Sequence, residues 1–60
     1  MTRKDYVLLA GAVMSALHNA KGPGELSGVI ATAEKLAEHL ARDNARFEKR
    51  RFLVACGVAK

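Results

Sequence analysis

Apolar residues along this chain recur every three or four positions, the spacing of helices with one buried face. In the first segment Tyr6, Leu9, Ala10, Val13, Ala16, Leu17 and Ala20 share a face, and Val7 and Met14 widen it. In the second, Leu26, Val29, Ala33, Leu36, Ala37 and Leu40 form a compact stripe, with Glu34, Lys35, Glu38, His39 and Arg42 on the opposite side. In the third, Phe47, Phe52, Leu53 and Cys56 are the residues that need burial. Period-two alternation, the mark of a strand, does not occur, and neither does an internal repeat. The pattern predicts an all-α fold with three helices at about 3–20, 25–42 and 45–56: a helical hairpin followed by a short third helix, in one domain spanning 1–60.

Local chemistry marks the boundaries. Thr2 and Asp5 form a capping-box pattern, and Met1 and Tyr6 occupy the positions of a hydrophobic staple. Lys21-Gly22-Pro23-Gly24 reads as a stop, with Gly22 in the left-handed position after the helix and Pro23 blocking continuation. Either Gly24 or Ser27 then caps the second helix. Glu38 and Arg42 stand four apart in the favourable orientation for a helix-surface ion pair. Asp43-Asn44 ends the second helix, and Asn44 is the expected cap of the third. Gly57 is the expected left-handed stop, with Val58, Ala59 and Lys60 loosely held beyond it.

Composition adds a size constraint. Sixty residues with no Trp, one Tyr, two Phe and one Cys leave a core made mostly of Ala, Leu and Val. A chain of this length buries only about 60% of the surface its unfolded form exposes. One cysteine allows no disulfide within the chain. Well-packed helices or a partner must therefore supply the stability. Leu8 and Ala12 lie away from the main apolar face of the first helix. Gly11 would let a neighbouring helix approach closely. Leu8, Gly11, Ala12 and Met14 are the expected interface of a homodimer.

The formal charge is +4. A basic balance favours nucleic acid or an acidic protein surface as partner. The cations concentrate late in the chain, as Arg42, Arg46, Lys49, Arg50 and Arg51. The second and third helices resemble a helix-turn-helix in outline, with basic residues in the first half of the second member. Against this, the turn has no glycine, the leading helix is long, and the cations do not share a face. Phe47 and Phe52 also claim part of the third helix for packing.

Catalysis has little to work with. His18 and His39 fall on different helices, His39 lies on a polar face within reach of Asp43, and Cys56 belongs to an apolar stretch. A zinc site needs about four Cys, His or acidic ligands at suitable spacing, and that inventory is missing. The glycines around Pro23 lack phosphate-loop spacing. We expect no enzyme activity, metal, cofactor or small-molecule substrate. Arg3 and Lys4 before an apolar run superficially suggest a signal peptide, but Asp5 interrupts the basic region and no small-x-small cleavage site follows. The run is also shorter than the roughly 18 residues of a membrane span. A single cysteine suits a reducing cytoplasm.

Lys4-Asp5-Tyr6, Ala33-Glu34-Lys35-Leu36-Ala37, and the closing Asp43-Asn44, Arg46-Phe47, Arg51-Phe52-Leu53 and Ala55-Cys56-Gly57 resemble a group of small proteins encoded by phages, prophages and related mobile elements of bacteria. Members of that group close with Asp-Asn-Pro-Arg-Phe-Asp-x-x-Arg-Phe-Leu-x-Ala-Cys-Gly. Ala45 and Glu48 depart from it, standing where proline and aspartate are common. The resemblance covers roughly two-thirds of the chain and implies a mobile-element setting in the bacterial cytoplasm. It carries no catalytic residues. The expected function is therefore that of a basic accessory protein binding nucleic acid, with an inhibitor or adaptor acting on a host protein as the alternative.

Overall fold

The computed structural model describes residues 2–60 and contains three helices: α1 Arg3–His18, α2 Pro23–Asp43 and α3 Lys49–Cys56. Among the described residues there is no strand. The all-α architecture expected from the apolar spacing is therefore present, with each helix packed against the other two. The molecule measures 34 × 18 × 18 Å. At about 1.5 Å per residue, α2 spans the long axis, whereas α3 covers only one end.

α1 starts as its capping pattern predicts. The Asp5 carboxylate accepts from the Thr2 backbone N–H at 2.9 Å and from the Thr2 hydroxyl at 3.3 Å. Met1, the other half of the expected staple with Tyr6, lies outside the described residues. The helix stops at His18 rather than Ala20, with Asn19 as its cap.

The link to α2 corrects the glycine assignments. Gly22 is extended, at φ −177°, and Pro23 opens α2 instead of only closing α1. Neither Gly24 nor Ser27 is the cap; Gly22 is. Proline suits the first helical position because its missing N–H has no intrahelical acceptor there, and its ring presets φ. The first bond of α2 runs from the Leu26 N–H to the Gly22 carbonyl at 3.0 Å.

The third helix is shorter than expected. Asn44 does not cap it; Asn44 terminates α2, donating its N–H to the Leu40 carbonyl at 3.0 Å. Its side-chain Oδ1 accepts from the Arg46 N–H at 3.0 Å, and its carbonyl accepts from the Phe47 N–H at 2.9 Å. Residues 44–47 thus form a turn, Glu48 is extended, and α3 begins at Lys49. Packing explains the delay. On a continuous helix, Phe47 and Phe52, five positions apart, would face different directions. With Phe47 in the connection, both rings reach one cluster, their centroids 5.5 Å apart.

Beyond α3, Gly57 adopts the left-handed conformation at φ 86°. The Gly57 N–H donates to the Val54 carbonyl at 3.0 Å and the Val58 N–H to the Leu53 carbonyl at 3.1 Å, the two bonds of a Schellman stop. Val58 packs on the core. Val58 and Ala59 are therefore bonded and half-buried, not loose.

The core is thin and built on small residues. Ala10, Ala37, Leu40, Phe52 and Cys56 form the buried cluster, and Ala33 is also fully covered. Alanine at 33 and 37 lets helix backbones approach closely, while Phe52 supplies the bulk they lack. Leu26 at the free end of α2 remains partly exposed.

Candidate nucleic-acid interface

Four of the five predicted cations cluster where the chain enters α3. Arg46 occupies the 44–47 turn, not α3, while Lys49, Arg50 and Arg51 are the first three residues of that helix. All four are exposed, and Arg42 is exposed in the last turn of α2. A helix N-terminus carries partial positive charge, so cations there are unfavourable by about 0.3–1 kcal/mol each when exposed. Arg50 Nη2 donates to the Lys60 carbonyl at 3.1 Å. Arg51 Nη1 pairs with Glu48 at 3.1 Å. Both partners of that pair are well exposed, at 85% and 66%, so it is worth about 0–1 kcal/mol. It is the ion pair formed among the described residues, and the expected Glu38–Arg42 pair is not.

A groove of about 480 Å³ lies beside this cluster, between the start of α1 and the start of α3. Tyr6, Phe47 and Phe52 contribute to its apolar wall, and Arg3, Arg46 and Arg51, with Glu48 as the one acid, to its charge. The two facing rings, Tyr6 and Phe47, have centroids 4.9 Å apart and are tilted by 49°. Asn44 Nδ2 donates to the Tyr6 hydroxyl at 3.3 Å, tying the end of α2 to α1. Arg3 joins this surface only through the tertiary fold, which brings the first turn of α1 against the entry to α3 and which residue order does not reveal. Val7, expected to widen the buried stripe, is instead 63% exposed and borders this groove.

The expected dimer residues divide. Leu8, Gly11 and Ala12 are exposed, and a side chain at Gly11 would meet nothing within 4 Å. Met14 is half-buried and points elsewhere: a side chain placed on Gly57 would meet Met14 Cε at 3.5 Å and Leu17 Cδ2 at 3.4 Å. Met14 therefore belongs to the α1–α3 packing, not to the open surface. Ala12 edges a second, largely apolar groove of about 520 Å³ between α1 and α2, with Leu9, Val13, Ala16, Gly28, Val29, Thr32 and Leu36 in its walls and Glu25 at one end.

The remaining candidates for chemistry are separated. His18 and His39 are exposed, and no hydrogen bond joins His39 to Asp43 among the described residues. Cys56 is fully buried, and desolvation raises its thiol pKa, which disfavours the thiolate that nucleophilic chemistry needs. Among the described residues no three His, Cys, Asp or Glu side chains converge on a point. No described helix is long and apolar enough to cross a membrane. No family model matches the chain, and neither a curated protein nor a solved structure shows significant similarity to it.

Proposed function

We propose that this chain is a non-enzymatic accessory protein of a phage or related mobile element, acting in the bacterial cytoplasm by binding nucleic acid. The supporting observation is the charge at the entry to α3. Arg46, Lys49, Arg50 and Arg51 surround the positive end of a helix, with Glu48 as their nearby acid. That arrangement costs stability in the free protein and is relieved by a polyanion. Arg42 extends the surface from α2 and Arg3 from α1.

Helix-turn-helix geometry is not the support. α2 has 21 residues and α3 only eight, so the second member is too short to lie along a groove as a recognition helix does. The interface is better described as an arginine-rich corner that grips phosphates. A gel shift at low and moderate salt, with duplex and single strands, tests the reading. Binding that falls steeply with salt supports it. No binding to either form at low salt overturns it, and the same cations would then point to an acidic host protein surface.

A second reading concerns self-association, for which we infer a homodimer through α1. Leu8 is 63% exposed, and Lys4, Leu8, Ala12, Ser15 and Asn19 recur at helical spacing as one outer ridge. Ala12 joins that ridge to the open α1–α2 groove, whose small residues admit a neighbouring helix. Charge selects the pairing. Antiparallel α1 helices bring Lys4 of one copy toward the end of the groove where Glu25 lies, and keep the two arginine-rich corners apart. Parallel helices would bring those corners together. A mass of one chain by light scattering at micromolar concentration refutes the dimer.

A further inference from the structure

The groove between α1 and α3 combines two kinds of recognition that duplex nucleic acid does not use together. Its wall contains the Tyr6 and Phe47 rings, 4.9 Å apart. Three guanidinium groups, from Arg3, Arg46 and Arg51, border the same space. Its volume of about 480 Å³ falls within the range of small-ligand clefts, about 300–1,000 Å³. A duplex offers phosphates but keeps the faces of its bases inside the stack. A single strand offers both, and base stacking on aromatic side chains beside a basic track is the usual way proteins hold it. An acidic peptide would satisfy the arginines but make no use of the rings.

We propose that this groove receives one unpaired nucleobase of a single strand, set against Tyr6 and Phe47, with the flanking phosphates held by Arg3, Arg46 and Arg51. The inference rests on the nucleic-acid reading above and narrows it to the form of the ligand. Two polar details suit it. The Tyr6 hydroxyl accepts a bond from Asn44 Nδ2 at 3.3 Å, which holds the ring in place in the groove wall. Arg51 is held only by an exposed pair with Glu48, which a phosphate oxygen can replace.

Tyr6 is the chain's single tyrosine, and there is no tryptophan, so intrinsic fluorescence reports directly on the groove. The probes are an oligothymidylate of about 12 nucleotides, a duplex of equal length, and a wholly abasic strand with the same phosphates. The oligothymidylate should quench tyrosine emission and bind about tenfold more tightly than the abasic strand, the effect expected of one stacked base. The abasic strand should bind without quenching. Arg3→Gln, an exposed change outside the α3 cluster, should weaken oligothymidylate binding several-fold. Equal affinity for abasic and base-bearing strands, absence of quenching, or an Arg3→Gln variant that binds as well as the parent overturns the groove assignment. In each of those cases the broader nucleic-acid reading survives. Failure of all three probes to bind at low salt overturns both.

Discussion

Tyr6 and Phe47, from opposite ends of the chain, meet ring to ring at 4.9 Å with planes tilted by 49°. Tilted aromatic pairs at this separation contribute about 0.5–1.5 kcal/mol beyond the area they bury. Phe47 in turn approaches Phe52 at 5.5 Å. The three rings close a core otherwise floored by alanine, and they fix the position of the turn that presents Arg46.

Phe47→Ala should therefore act on both stability and binding. Phe47 is half-buried, so the loss should be about 2–3 kcal/mol, somewhat below that of a fully buried aromatic. Urea denaturation followed by circular dichroism measures it. A loss under 0.5 kcal/mol, an order-of-magnitude threshold set by the usual spread of surface substitutions, would show that the aromatic cluster does not hold the turn.

Tyr6→Phe keeps the ring pair and removes only the hydroxyl that accepts from Asn44. A part-buried neutral hydrogen bond is worth about 0.5–1.5 kcal/mol. The variant should be destabilised by that amount while the helical circular dichroism signal is unchanged. A larger loss would mean that the Asn44 turn itself depends on this bond.

Gly57→Ala should destabilise by about 1–2 kcal/mol, the penalty for an L-residue in left-handed backbone. The new methyl would also sit 3.4 Å from Leu17 Cδ2 and 3.5 Å from Met14 Cε, which is ordinary contact and adds little. A thermal melt that matches the parent would show that the Schellman stop is dispensable.

Cys56 gives a pH signature. Burial raises its pKa above the ordinary value of 9.0, so the unfolded chain loses the thiol proton first. Its contribution is fully present below the unfolded pKa and is lost as pH rises through the folded one. Stability should therefore fall in alkaline solution more steeply for the parent than for Cys56→Ala. In the folded protein the thiol should react slowly with an alkylating reagent and become reactive in urea. Equal alkylation rates in the two conditions would contradict the burial.

Arg50→Glu with Arg51→Glu tests the basic corner. Both side chains are exposed, and neither belongs to the buried cluster, so the helical signal should persist. Single-strand affinity should collapse, and the parent's logarithmic salt slope of about −3, expected for roughly four phosphate contacts, should flatten. Retained affinity at low salt would move the interface elsewhere.

What could be read from the residue order was what depends on near neighbours. The three helices and their amphipathic faces follow from spacing, the start of α1 from Thr2 and Asp5, and the stop at Gly57 from the need for left-handed backbone. Pro23 marks a boundary in the sequence but not its side, because proline serves equally well just after one helix and at the first position of the next, which is where the fold puts it. Asn44 is a breaker by residue type, yet its side chain has partners on both sides: the Arg46 N–H in the turn and, at the far end of the chain, Tyr6. Local propensity accounts for the first of these bonds and not for the second. The start of α3 at Lys49 was decided by tertiary packing, since Phe47 must leave helical geometry for its ring to join Tyr6 and Phe52. The same packing moved Met14 into the α1–α3 contact, exposed Val7 and brought Arg3 beside Arg46 and Arg51. Sequence alone determined that three helices form and where charge accumulates along the chain, because both are local properties. Only the fold decided which charges share a groove, because that depends on distances between residues far apart in the chain.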